Sequence, residues 1–330
     1  LIGIGIGIVG CGRIGVVHGT SLQRIANANL VAVSDPLEAN AAHLAKMTGA
    51  QVRSVDALIE ADDIAAVIIA TPTTTHYELI HKAARAGKAI FCEKPIDMNA
   101  ERIRECTAIV EECGVPFMTG FNRRFDPGFS RLRYRILRGD IGDVELVTIL
   151  SRDPSPPPVD YIRSSGGIFR DMMIHDLDMA RFLIGEEPVT VHSVGSCLID
   201  PAIGEAGDLD TAAATLTTAS GKICQISNSR RATYGYDQRV EVHGSKGMLR
   251  AENMLDSNIE FADENGFRRA PAQPFFLERY HAAYIAELTS FTRALETGHA
   301  MSPSAIDGLK AQQLADAASR SAEDGCVVRL

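Results

Sequence analysis

Ile4-Gly5-Ile6-Gly7-Ile8-Val9-Gly10-Cys11-Gly12-Arg13-Ile14-Gly15 runs from an apolar stretch through a glycine turn into the start of an amphipathic segment. A strand, a Gly-x-Gly-x-x-Gly turn and a helix in that order aim backbone N–H groups and a helix N-terminus at a pyrophosphate. Gly5-Ile6-Gly7-Ile8-Val9-Gly10 has the same spacing, but its interior is strand and too little chain precedes it to supply another. The turn is therefore read as Gly10-Cys11-Gly12-Arg13-Ile14-Gly15, with Gly10, Gly12, Arg13 and Ile14 as candidate cofactor residues. The alternation of Gly3, Gly5 and Gly7 strips one strand face of side chains, and the sequence offers no reason for it.

Outward from this turn, short apolar runs alternate with helical patterns. Ile4 to Val9, Leu30 to Ser34, Ile64 to Ala70, Ala89 to Cys92 and Val115 to Met118 read as buried strands. Ile14 to Ala26, Leu37 to Met47, His76 to Ala86 and Ala100 to Cys113 have helical spacing. Strand and helix in alternation predict an α/β domain with a doubly wound parallel sheet over residues 1–122. Asp35 closes the second strand about 20 residues after the turn, where a carboxylate accepts ribose hydroxyls and repels a 2′-phosphate. Pro36 and Leu37 bring no cation, so the cofactor expected is NAD rather than NADP; the competing reading of Asp35-Pro36 is a turn or helix cap. Thr71, Pro72 and His76 lie where the strand ending at Ala70 runs into a helix, at the sheet edge where ligands of open α/β folds bind. Thr75 there is equally an N-cap.

After Asn122 the pattern changes. Asp126-Pro127-Gly128 reads as a turn, Phe129 to Leu137 as a helix and Pro154 to Pro158 as a loop, and Thr190 to Phe261 as successive β runs. Two helices, about Arg279 to Thr297 and Ser304 to Glu323, finish the chain. Residues 123–330 are thus expected to form an α+β domain with a large, mainly antiparallel open sheet, its C-terminal helix packing back on the first domain.

A chain of 330 residues accommodates two such domains. Its 33 basic and 42 acidic residues give a net charge of −9 with no basic run, which argues against nucleic acid and an anionic membrane as partners. Seven cysteines without a Cys-x-x-Cys pair fit a reducing cytoplasm. No apolar run approaches the ~20 residues of a membrane span, and Leu1 to Val9 lacks a basic leader, so no targeting segment is expected.

The second informative stretch is Gly166-Gly167-Ile168-Phe169-Arg170-Asp171-Met172-Met173-Ile174-His175-Asp176-Leu177-Asp178. As a helix it places Phe169, Met173, Leu177, Ala180 and Ile184 on an apolar stripe and Asp171, His175 and Asp178 on the opposite face. An imidazole with an ordinary pKa of about 6.5 accepts a proton near neutrality, and a carboxylate beside it orients it. The alternatives are a solvated helix face and a metal site, and no further ligand set accompanies the latter.

Thr71-Pro72-x-x-x-His76, Glu93-Lys94-Pro95 and Asp171-x-x-x-His175, following a nucleotide-binding fold, resemble the Gfo/Idh/MocA oxidoreductase family over almost the whole chain. Gly120-Phe121-Asn122-Arg123-Arg124-Phe125-Asp126 and Ser151-Arg152-Asp153-Pro154 resemble, within it, the bacterial inositol 2-dehydrogenases. The resemblance implies a Rossmann domain binding NAD, with Glu93 and Lys94 at the cofactor. It implies Lys94, Asp171 and His175 as the catalytic set, with His175 as acid/base. Asn122, Arg123, Asp153, Met172 and Tyr236 are implied at the polyol substrate, with Arg152 and Tyr161 in nearby segments. Arg123 and Arg152 equally suit ion pairs between domains. Relatives often carry an apolar residue at Asn122 and Thr at Met172, so the stereoisomer preferred stays open. The expected reaction is oxidation of myo-inositol to the 2-keto sugar alcohol by a homotetramer. A related polyol or aldose dehydrogenase is the nearest rival, and a non-catalytic NAD sensor the more distant one.

Overall fold

A computed structural model describes residues 3–330; Leu1 and Ile2, where the first expected domain begins, lie outside the described residues. The chain divides into two compact units, Leu1–Phe125 with Ala282–Gln312, and Asp126–His281 with Gln313–Leu330. The division falls just past the turn Asn122–Phe125, whose residues Asn122, Arg123 and Arg124 are buried. Arg124 pairs with Asp307 at 3.0 Å, which ties that turn to the helical segment returning from the C-terminal part of the chain.

The first unit holds a six-stranded sheet of β1 (Ile4–Val9), β2 (Ala28–Ser34), β3 (Gln51–Val52), β4 (Ala66–Ile69), β5 (Ala89–Glu93) and β6 (Phe117–Gly120) in the order β3-β2-β1-β4-β5-β6. All its pairings are parallel, and the winding reverses between β1 and β4. Helices α1 (Arg13–Leu22), α2 (Glu38–Thr48), α3 (Val55–Ile59), α4 (His76–Arg85) and α5 (Ala100–Cys113) connect the strands. One face of the sheet buries Val9, Val67, Ile69 and Ile90 against Leu58, Ile80 and Ile103. The other buries Ile8, Ile68 and Phe91 against Leu22, Leu44 and, from the returning helix His281–Thr297, Leu288 and Phe291.

This packing explains the glycine alternation. A Cβ at Gly5 would stand 1.9 Å from the Asp63 carbonyl oxygen, and one at Gly7 2.5 Å from Leu58 Cδ2. Helix α3 and the loop after it lie directly on the bare face of β1. Helix α3 has no sequence pattern long enough to stand out, and the reason for Gly5 and Gly7 lies in it and in the loop that follows.

The second unit is built on a seven-stranded sheet of β7 (Val144–Arg152), β8 (Pro188–Ser196), β9 (Thr211–Thr218), β10 (Ile223–Ser229), β11 (Asp237–Gly244), β12 (Gly247–Ala251) and β15 (Val328–Arg329), ordered β12-β11-β7-β10-β9-β8-β15. Strands β13 (Glu260–Asp263) and β14 (Gly266–Arg269) form a separate hairpin. Every pairing in the large sheet is antiparallel except β7 with β10. Strand β7 escapes the sequence reading because it precedes the helical region and pairs with strands far along the chain. Its helices are α6 (Pro127–Leu137), α7 (Val159–Ser165), α8 (Ile174–Ile184), α9 (Pro201–Glu205) and α10 (Phe276–Arg279). The last two helices, α11 (His281–Thr297) and α12 (Ala305–Asp324), are divided between the units. Asp126 is the N-cap of α6, accepting from the N–H groups of Gly128 and Phe129 with Pro127 at the first turn, so the expected turn is the start of the helix. Alternate residues Val147, Ile149, Ala214, Leu216, Cys224, Ile226, Val240 and Val242 are buried, while Val194, Ala213 and Ile223 face outward.

Candidate active site

The three turn glycines have separate reasons. Gly10 has φ +96°, and a Cβ there would stand 2.6 Å from the Ala70 carbonyl, so the turn lies against the end of β4. A Cβ on Gly15 would meet the Gly10 oxygen at 1.9 Å, which is close helix-to-strand packing. Gly12, the N-cap of α1, has nothing within 4 Å of its Cβ position and makes no side-chain cap. The N-terminus of α1 is thus bare backbone at Gly12, with no side chain to cap it, which fits a pyrophosphate. Arg13 is exposed and Ile14 half-buried beside it.

Asp35 serves the fold as well. Its Oδ2 accepts from Cys11 N at 2.7 Å and its Oδ1 from Leu37 N at 2.8 Å, which fastens the glycine turn to the start of α2. A carboxylate has about four lone-pair sites, so the turn and cap bonds leave acceptor capacity on this residue. His76 is buried, its two ring nitrogens 2.9 Å from the carbonyl oxygens of Thr71 and Pro95. Burial holds its pKa below the usual range. The neutral ring bonds one of those carbonyls and staples the Thr71-Pro72 loop beside the Glu93-Lys94-Pro95 turn.

Glu93 ends β5 and turns partly inward: its Oε1 lies 2.6 Å from His18 Nε2, and its Oε2 accepts from Lys94 N at 3.3 Å. Glu287 of α11 is fully buried, neither of its carboxyl oxygens has a hydrogen-bond partner, and burial followed by the charge of Glu93 pushes its pKa well up. A raised folded-state pKa gives stability that is fully present below the unfolded value and lost as pH rises through the folded one. Glu287→Gln is therefore expected to raise the melting temperature more at pH 8 than at pH 5, measured by calorimetry. An equal change at both would mean that Glu287 is ionised in the fold.

In the second unit, Gly166 and Gly167 both adopt left-handed backbone, with φ of +85° and +83°. The chain then makes one π-helical turn, Phe169–Met173, before α8. π-Turns inside helices are frequent at functional sites because they rotate side chains out of α register. Asp171 and His175 are half-buried, and Tyr161 donates to Asp171 Oδ1 at 2.9 Å. Arg230 stands 3.6 Å from Asp171 Oδ2. Next to His175, buried Asp176 accepts from Ser151 Oγ at 2.6 Å and Asn228 Nδ2 at 2.8 Å, which locks α8 onto β7 and β10. Asp178 departs from expectation. It is 1 % exposed and sits 3.4 Å from Arg181, itself bound to Glu187, so its charge is taken up inside the fold.

Lys94 is half-buried in the first unit, whose buried turn carries Asn122 and Arg123. Asp171, His175, Asp153, Met172 and Tyr236 belong to the second. Asp153 N donates to Ser229 O at 3.0 Å, extending the β7–β10 pairing. Met172 is buried, and Tyr236 is buried edge-on against Phe275 and Tyr280. Sequence reading missed His18, Asp208, Arg230 and Glu287, which stand far along the chain from the residues they serve and carry no motif. Among the described residues no group of three or more His, Cys, Asp or Glu is arranged to hold a metal ion, and no helix is long and apolar enough to cross a membrane.

The family model described as an oxidoreductase family with an NAD-binding Rossmann fold matches residues 4–121, and the GFO/IDH/MocA C-terminal domain matches residues 129–250. The chain belongs to the Gfo/Idh/MocA oxidoreductase family. As a member it is an NAD-dependent dehydrogenase acting on a CH–OH donor. It is 58% identical over 315 residues to the inositol 2-dehydrogenase of Rhizobium meliloti, covering 96% of each chain. The crystal structure of a putative myo-inositol dehydrogenase from Sinorhizobium meliloti superposes with a TM-score of 0.97 at 56% identity, covering 99% of both chains. The scyllo-inositol dehydrogenase of Lactobacillus casei, with bound NAD(H) and scyllo-inositol, superposes with a TM-score of 0.92 at 31% identity, covering 99% of both. The parallel sheet of the first unit and the mostly antiparallel sheet of the second agree with the fold expected from the sequence.

Proposed function

We propose that this dehydrogenase oxidises the axial ring hydroxyl of myo-inositol, giving 2-keto-myo-inositol (scyllo-inosose), with His175 as acid/base and Lys94 and Asp171 assisting. The observation that carries the reading is the 58% identity, along nearly the full length, to an inositol 2-dehydrogenase in a chain that has all three residues. NAD, held by Gly10, Gly12, Arg13, Ile14 and Asp35 with Thr71, Pro72, His76, Glu93 and Lys94 around it, supplies the hydride acceptor. The neutral imidazole of His175 takes the hydroxyl proton as the carbinol hydrogen leaves, which avoids a protonated carbonyl product. The Lys94 ammonium donates to the same oxygen and stabilises its developing negative charge. Asp171, oriented by the Tyr161 hydroxyl, accepts from a neighbouring ring hydroxyl and fixes the imidazole. Asn122, Arg123, Asp153, Met172 and Tyr236 shape the polyol site.

The enzyme works as a homotetramer in the cytoplasm. The outward face of the large sheet, with Val194, Ala213, Thr215 and Ile223, supports the first part, and the seven free cysteines support the second. Sedimentation velocity tests the assembly.

The substrate is tested with NAD or NADP against myo-, scyllo- and chiro-inositol and glucose, following absorbance of the reduced nicotinamide. NAD reduction with myo-inositol is the expected result. Turnover with scyllo-inositol alone would favour the second reading, supported by the likeness to the L. casei enzyme. Tight NAD binding without turnover on any polyol would mark a sensor.

A further inference from the structure

Arg230, just past the end of β10, is 1 % exposed, and its backbone N–H donates to Asp210 O at 2.8 Å. A guanidinium taken out of water costs several kcal/mol unless carboxylates compensate it. Two do so here. Arg230 lies 3.3 Å from Asp208 Oδ2 and 3.6 Å from Asp171 Oδ2. Asp208 has a second task, because its Oδ1 accepts from Ile168 N at 2.8 Å, the amide that leads into the π-turn. A Cβ at Gly167 would stand 2.8 Å from that same oxygen, so a glycine with left-handed backbone is what lets the carboxylate reach the turn.

We propose that Arg230 and Asp208 are positioning residues that set the place of Asp171. The proposal rests on the functional reading above, in which Asp171 serves the substrate and His175. One carboxylate, Asp208, fixes both the backbone entering the π-turn and the cation facing Asp171. Arg230 then faces Asp171 from one side while Tyr161 bonds it from the other. At 3.6 Å the contact between Arg230 and Asp171 Oδ2 is charge pairing, longer than a direct hydrogen bond. The trio of Asp171, Arg230 and Asp208 carries one net negative charge, which favours an imidazolium once His175 has taken the proton.

The test is a double-mutant cycle on the full chain with myo-inositol and NAD. The variants are Arg230→Met, Arg230→Lys, Asp208→Asn and Asp171→Asn, with the Arg230→Met and Asp208→Asn changes also placed on Asp171→Asn. Arg230→Met is expected to lower kcat by about 100-fold, the scale of a small displacement of a reacting group, with NAD affinity unchanged. Arg230→Lys, which keeps the charge, restores most of that loss. In the Asp171→Asn background, removing Arg230 or the Asp208 charge adds little, because both act through the carboxylate already lost. Losses that multiply in the double variants, or wild-type kcat in Arg230→Met, overturn the proposal. If Arg230→Met does not fold, the Asp208→Asn cycle decides, and wild-type kcat in Asp208→Asn overturns the proposal. If the wild-type chain prefers another polyol, the cycle is run on that one. If it oxidises none, the functional reading falls and takes this proposal with it. Wild-type turnover unaffected by these changes removes only the role given to Arg230 and Asp208.

Discussion

His175→Ala is expected to lower kcat for polyol oxidation by about 10³-fold while NAD affinity stays near that of the unaltered chain. A positioned general base contributes on that scale, and the adjacent Asp176 does not take over, being buried and bonded to Ser151 and Asn228. Lys94→Ala should lose a comparable factor, because an ammonium that donates to the developing alkoxide acts mainly in the transition state and lowers kcat together with kcat/KM. Calorimetry of NAD binding beside steady-state rates separates this from a binding defect. His175→Ala turning over at close to the wild-type rate would remove the residue from the acid/base role. Loss of NAD affinity in Lys94→Ala, at unchanged kcat, would make Lys94 a cofactor ligand only.

Gly5→Ala should destabilise the first unit by about 3 kcal/mol or more, although alanine adds a single methyl. Its Cβ would stand 1.9 Å from the Asp63 carbonyl oxygen, which is backbone. The strand has no freedom to move aside: β1 pairs with β2 and β4 on its two edges, and Gly5 O accepts from Ala65 N at 2.8 Å. Gly12→Ala is the informative counterpart. Nothing lies within 4 Å of its Cβ position and its φ is −71°, so the fold should keep its stability while NAD binds about tenfold more weakly, where the pyrophosphate needs bare backbone. Denaturant unfolding and NAD titration of both variants give a crossed pattern if the two glycines have these separate reasons. Equal stability of Gly5→Ala and wild type would mean that the loop at Asp63 yields.

Much of this was legible in local sequence. The strands Ile4–Val9 and Ala89–Glu93 and the helix Ala100–Cys113 emerged within a residue or so, because buried parallel strands are continuous apolar runs and amphipathic helices repeat with a fixed period. The glycine turn and Asp35 emerged because a dinucleotide site is built from one strand, one turn and one helix contiguous in the chain. Glu93-Lys94-Pro95 and the Asp171-His175 pair were found as short motifs for the same reason.

What the sequence by itself determined is the family and the alternation of strands and helices in the first unit apart from β3 and α3, which are encoded over a few to a few tens of neighbouring residues. Tertiary structure alone decided why β1 is bare of side chains, where Asp178 goes, and what surrounds the chemistry. The packing of α3 and the loop after it dictates Gly5 and Gly7; Asp178 is buried against Arg181. His18 and Glu287 beside Glu93, and Arg230 and Asp208 beside Asp171, are brought in from distant parts of the chain by sheet order and helix return. A contact of that kind depends on the meeting of two surfaces rather than on a local repeat, so neither partner's sequence announces it.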